Sequence, residues 1–184
     1  TAGELTQANV SSQAVDYAYD GHGRLVARRD AAGTSQYLYG HPYGLTHLTA
    51  TRSVSGELTQ YFYDPAHTLF AFERGGSRFY VAADQVGSPR VIVNATGTPL
   101  KVIAYDSYGK ILSDTNPSYE LSLGFAGGIR DPLTGLLRFG ARDYDPDAGR
   151  WTARDPVLFR SRQSNVYAYV GNSPVNFTDP YGLF

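Results

Sequence analysis

The sequence predicts an all-β fold of stacked antiparallel hairpins, and three observations carry that expectation. The 184 residues include 15 Tyr, 20 Gly and 10 Pro, a composition that favours short strands joined by tight turns. A Tyr-Asp unit recurs along the chain at an interval of about twenty residues, the length of one hairpin with its turns. Pro or Gly interrupts nearly every window long enough for a helix, so no long helix is expected.

The repeats justify the strands in order. DYAYDGHGRLV (16–26), QYFYDPAHTLF (60–70) and VIAYDSYGKIL (102–112) each place an aromatic-flanked Tyr-Asp before a polar turn and a β-rich exit. Two weaker units lie between them: QYLYGHPYGL (36–45), with Gly40 in place of Asp, and RFYVAADQVGSPRVIV (78–93), with Asp84 in the turn. The turns then fall at 20, 40, 64, 84 and 106. Alternation puts Tyr17 and Tyr19 on one face of their strand, and stacked repeats line such rings into rows worth about 0.2–1 kcal/mol per cross-strand pair. Asp20-Gly21 suits a tight turn, because Asp accepts nearby backbone N–H groups and Gly tolerates positive φ. A degenerate unit, ARDYDPDAGRW (141–151), follows with Asp145. SYELSLGFAGG (118–128) reads as a loop entering a strand, and PVLFRS (156–161) as a single helical turn at most. Composition alone also fits an ordinary β-sandwich; the repeat interval favours the repetitive sheet.

Charge and missing residue types bound the chemistry. Sixteen basic and 17 acidic residues give a net charge of −1 without a basic stripe, which argues against nucleic acid as a partner. No apolar run approaches the length of a membrane span, and no signal peptide is visible. The absence of Cys removes disulfides, zinc thiolates and cysteine nucleophiles. The chain starts at Thr1 and contains no Met, which reads as a piece of a longer protein. His22, His41, His47 and His67 lack metal-ligand spacing and read as turn or surface residues. No cofactor motif is present: the run Gly124–Gly128 lacks the Lys-Ser/Thr of a phosphate loop.

With the repeats located, the chain resembles the YD-repeat (Rhs) family. Tyr19-Asp20-Gly21-His22-Gly23-Arg24-Leu25 is similar to the YD repeat, and Asp84-Gln85-Val86-Gly87-Ser88-Pro89-Arg90 to the segment that precedes the last repeats. From Gly124 to Leu183 the chain resembles the Rhs-repeat-associated core, through Asp131-Pro132-Leu133-Thr134-Gly135-Leu136, Arg142-Asp143-Tyr144-Asp145-Pro146, Gly149-Arg150-Trp151 and Asp179-Pro180-Tyr181-Gly182-Leu183. Residues 124–151 also resemble the equivalent part of teneurins, and the chain resembles the C components of Tc toxins. The resemblance implies two parts: YD-repeat hairpins of a spiralling, hollow shell over 1–123, and a core winding inward as its end or plug over 124–184. It also implies a secreted or cell-surface bacterial protein whose partners are the rest of the shell, a downstream effector or toxin cargo, and delivery or immunity proteins. A fragment of such a shell has open sheet edges that invite pairing.

The resemblance further implies a single-turnover, aspartyl-type self-cleavage. Asp155 and Asp179 match the family's catalytic aspartates, and the bond cut is Leu183–Phe184. Two carboxyls held close do not both ionise readily and share a proton. The ionised one takes a proton from water while the other donates to the scissile carbonyl. Arg154 matches a family arginine that orients a carboxylate or stabilises developing charge. Gly182 lets the backbone approach closely, and Pro180 stiffens the approach. The plainer reading is turn chemistry, since Asp-Pro also occurs at 64–65, 131–132 and 145–146. Many relatives carry a glycine-rich stretch, with a further aspartate in some, where this chain has Val157–Ser164; that bears on a three-residue site, not on the pair. Two rivals stand beside self-cleavage: a non-proteolytic structural or adhesive shell of teneurin type, and a carbohydrate-binding β-domain with an open groove faced by Tyr side chains or Trp151.

Overall fold

One five-residue turn, repeated, organises the chain. In the computed structural model, which describes residues 4–40, 46–156 and 165–183, Asp20 N–H donates to Arg24 O at 3.0 Å and Gly23 N–H to Asp20 O at 3.0 Å. The Asp20 carboxylate accepts the N–H groups of His22 and Arg24. Asp64, Asp84 and Asp106 make the same backbone pair with the residues three and four places on, and each carboxylate accepts the amide four places on. The residue three places after the acid lies in the left-handed region in each turn, Gly23, His67, Gly87 and Gly109, which favours glycine. Asn94 and Ser53 build the same turn with an amide and a hydroxyl.

This turn makes six of the ten connections between eleven strands, at residues 20, 53, 64, 84, 94 and 106, and the strands form one antiparallel sheet in sequence order. They are β1 (Gln7–Val10), β2 (Gln13–Tyr19), β3 (Leu25–Asp30), β4 (Gly33–Leu38), β5 (Ala50–Arg52), β6 (Leu58–Tyr63), β7 (Leu69–Arg74), β8 (Ser77–Ala83), β9 (Pro89–Asn94), β10 (Pro99–Tyr105) and β11 (Ile111–Asp114). The register slips by one residue just before Asp20, Asp64, Asp84 and Asp106, at Ala18/Tyr19, Phe62/Tyr63, Ala82/Ala83 and Ala104/Tyr105. Such a bulge re-aims the side chain beside it. Tyrosines at strand ends, Tyr19 and Tyr63 at such bulges and Tyr39 after β4, reach back across the sheet: their hydroxyls donate to the carbonyls of Leu5, Leu48 and Leu25 at 2.8–2.9 Å. The tyrosine rows expected from alternation are therefore tied by hydroxyl-to-carbonyl rungs as well as by burial. Tyr17, Tyr37 and Tyr61 lie on the same inner face, packed with Leu25, Leu48, Leu69, Phe72, Val81 and Ile92.

A second, four-stranded antiparallel sheet follows: β12 (Ile129–Arg130), β13 (Leu137–Phe139), β14 (Arg142–Asp145) and β15 (Arg150–Trp151). It covers the inner face of the first. Arg28 Nε donates to Asp131 Oδ2 at 2.6 Å across 103 residues of sequence, and both side chains are buried. Arg138 stacks over the Tyr19 ring at 4.6 Å and donates to Gly23 O. The helical content of the described residues is two short 3₁₀ turns, at 125–127 and 170–172. The helical turn expected from 156–161 falls mostly outside the described residues.

Candidate functional site

The last described segment folds back on the second sheet. Trp151 N–H donates to Tyr167 O at 3.0 Å and Asp155 N–H to Val166 O at 3.1 Å, so 165–168 runs against 150–155. The aromatic rings of Phe125, Phe139, Tyr144, Trp151 and Tyr169 then close into one cluster, with centroids 4.5–6.2 Å apart. Burial, together with the nearby Asp179 charge, pushes the Tyr169 phenol up.

The turn at Asp179 docks backbone to backbone on the turn between β13 and β14. Ala141 N–H donates to Tyr181 O at 2.9 Å. A Cβ on Gly140 would collide with the Tyr181 carbonyl, and one on Gly182 with the Phe139 carbonyl. Both glycines have positive φ, 42° and 64°, so two conditions that exclude a side chain coincide at each. The Asp179 turn repeats the hairpin pattern: Gly182 N–H donates to Asp179 O at 3.2 Å and Leu183 N–H to Asp179 Oδ1 at 3.0 Å.

Arg142 joins this turn to the rest of the site. Its Nε donates to Gly182 O at 2.8 Å and its Nη2 to Asp179 Oδ2 at 3.3 Å. Its guanidinium lies over the Trp151 ring at 4.1 Å. Asp155 and Asp179 are 2% and 4% exposed, and both favour the charged guanidinium, while burial outweighs them and pulls Arg142 below its usual range. Two buried carboxyls from segments 24 residues apart in sequence thus act on one buried cation.

The other expected residues divide between the site and the surface. Gly182 is buried in the turn, whereas Pro180 and Leu183 are exposed, and Phe184 lies outside the described residues. Arg154 is exposed, with its Nε donating to Tyr167 Oη at 3.2 Å. The arginine that touches Asp179 is Arg142, a residue to which sequence reasoning assigned no role. A signal was present: in the run Arg142-Asp143-Tyr144-Asp145, alternation puts Arg142 on the face of Tyr144, and an arginine on a core face requires buried acceptors. Trp151 is buried in the aromatic cluster, 1% exposed. His22 and His67 stand in the Asp20 and Asp64 turns, His47 and His67 have ring centroids 4.4 Å apart, and His41 lies outside the described residues.

A family model described as the teneurin YD-shell matches residues 1–175. Teneurin-3 of Danio rerio is 38% identical over 184 residues, covering 92% of this chain and 7% of the relative. Teneurin-4 of Homo sapiens is 38% identical over 189 residues, covering 96% of this chain and 7% of the relative. The chain therefore spans a small part of the length of these proteins. The crystal structure of TcdB2-TccC3 is similar with a TM-score of 0.72 and 23% identity, over 93% of this chain and 9% of that one, which is a likeness of fold.

Proposed function

This chain belongs to the teneurin YD-shell family, and on that footing we propose that it ends such a shell and hydrolyses its own backbone after Leu183. The observation that carries the reading is the convergence on Arg142. Two buried carboxyls, Asp155 and Asp179, act on a guanidinium that also holds Gly182 O, the carbonyl one residue before the bond in question.

The reaction needs no cofactor. One carboxylate takes a proton as water adds to the Leu183 carbonyl carbon, while the protonated partner donates to the carbonyl oxygen. Collapse breaks the C–N bond, the proton passes to the Phe184 nitrogen, and Leu183 keeps the new carboxyl group. Site and substrate share one chain, so a high effective concentration replaces binding. The partners in this reading are the preceding windings of the shell and a segment beyond Phe184 that the cut releases. A toxic effector, with delivery or immunity proteins and a secreted or cell-surface setting in a bacterium, is the cargo reading it extends to.

A specific observation favours the second reading, a structural or adhesive shell that stays intact. Asp179 caps its turn as Asp20, Asp64, Asp84 and Asp106 cap theirs, so its carboxyl has a structural use without any chemistry. The two readings separate in one experiment. The chain is expressed with its natural continuation past Phe184 and analysed by intact mass. Two fragments parted at Leu183–Phe184 in the wild type, and one intact chain in Asp155→Asn, are expected. A folded wild type that stays whole overturns self-cleavage in favour of the intact shell.

A further inference from the structure

Resting on the self-cleavage reading, the geometry points to a rule for which bond is cut: the site counts backbone positions from Asp179 and does not read the Leu183 side chain, with Arg142 as the positioning residue. The parts of the turn that are gripped are backbone atoms. Asp179 Oδ1 takes the Leu183 N–H at 3.0 Å, Arg142 Nε holds Gly182 O at 2.8 Å, and Ala141 N–H holds Tyr181 O at 2.9 Å. The side chains point elsewhere: Tyr181 is 48% exposed and Leu183 42%, while Asp179 and Gly182 are buried.

The hairpin turns supply an independent argument. In the same pattern the residue four places after the acid is Arg24, Thr68, Ser88 or Lys110. A long cation, two hydroxyls and an amine-tipped chain all fit, because the bond uses their N–H alone. The turn therefore fixes the fourth residue's backbone whatever its side chain. What distinguishes the Asp179 turn is Arg142. Its planar fork bridges the carboxyl that caps the turn and a carbonyl within it, and the face of Trp151 sets the plane of that fork at 4.1 Å. A lysine reaches one of those acceptors, not both in a fixed relation.

The test inserts one glycine between Gly182 and Leu183 in the chain extended past Phe184. Counting predicts a cut after the inserted glycine, now fourth from Asp179; reading of the side chain predicts a cut after Leu. Mass spectrometry of the released end decides. Arg142→Lys is expected to slow cleavage roughly ten- to a hundredfold, as a small misplacement of reacting groups does, and Arg142→Gln to slow it further, with the unfolding midpoint followed alongside. That graded loss, with charge kept in one variant, is not what a purely structural role produces. A cut that stays after Leu, no cut at either bond in a folded insertion variant, or wild-type rates in Arg142→Lys overturns the rule. If the wild type stays whole, self-cleavage fails on its own, and hydrogen exchange then tests the clamp. Exchange at the Leu183 amide should rise roughly tenfold in Arg142→Lys, the loss expected for a charge-assisted bond. Unchanged exchange overturns Arg142 as the positioning residue.

Discussion

Along the eleven-stranded sheet, each strand packs beside its sequence neighbours and contributes at most three buried residues. In the region from 124 to 183, five aromatic rings, one arginine and two carboxyls meet in a single knot. Both regions use the Asp-x-x-Gly turn. In the first it merely reverses the chain at the sheet edge, and Asp20 is partly exposed. In the second the same turn is buried against another turn, and the cation on its carboxyl is itself buried and also holds a carbonyl within the turn. A local motif costs little to repeat; its surroundings decide whether it is a corner or a site.

The contrast is open to direct attack, and the largest effect is expected in the knot. Trp151→Ala removes a fully buried ring that packs on Phe139, Tyr144 and Tyr169 and supports Arg142. It should lower unfolding free energy by about 3–5 kcal/mol in denaturant titration. An effect no larger than that of deleting one sheet tyrosine hydroxyl would dissolve the distinction between the two regions.

Next comes the link between the regions. Arg28→Ala leaves Asp131 buried without its cation, at a cost of about 3 kcal/mol. Burial works against the charged form of Asp131, but Thr134 N–H and Arg28 outweigh it and hold the carboxyl below its usual range. The folded state therefore binds this proton less tightly than the unfolded chain. Its contribution is complete above the ordinary carboxylate value of about 3.9 and is lost as pH falls through the lower folded value. Asp131→Asn should flatten the acid limb of a stability–pH curve below about pH 4; an unchanged limb would remove this pair from the coupling.

Smaller changes probe the contact of a sheet turn with the knot. Gly109 has φ +89°, and a Cβ there would enter the Phe125 ring. Gly109→Ala should cost about 1–3 kcal/mol, whereas alanine at Gly97, in the same kind of turn with open space around it, should cost less. Equal losses would mean that backbone strain, not packing, sets the cost. The smallest change belongs to the sheet itself. Tyr39→Phe deletes the hydroxyl that donates to Leu25 O and should cost about 1 kcal/mol. A loss above 3 kcal/mol would show that the rungs act together and not one by one.

The two regions also differ in how far they could be read in advance. The turns at Asp20, Asp64, Asp84 and Asp106 were legible because all their hydrogen bonds close within five residues. The turns at Ser53 and Asn94 escaped the reading because a hydroxyl and an amide do the work of a carboxylate there. The bulges escaped it too, because a register slip is a relation between two strands. In the candidate site the expectation named Asp155, Asp179, Gly182 and Arg154 through a family resemblance. In the structure Arg142 holds Asp179 and the Gly182 carbonyl, while Arg154 meets Tyr167 at the surface.

The order of residues by itself determined the all-β hairpin fold, the turns that begin with aspartate and the shared face of Tyr17 and Tyr19. Each of these follows from alternation and from bonds a few residues long. Only the tertiary structure decided that Arg28 meets Asp131, that the Asp179 turn is buried on the β13–β14 turn, and that the Arg142 guanidinium holds both Asp179 and the Gly182 carbonyl. The reason is physical: the strength of a buried charge contact depends on distance in space and on exclusion of water, and neither is carried by spacing along the chain.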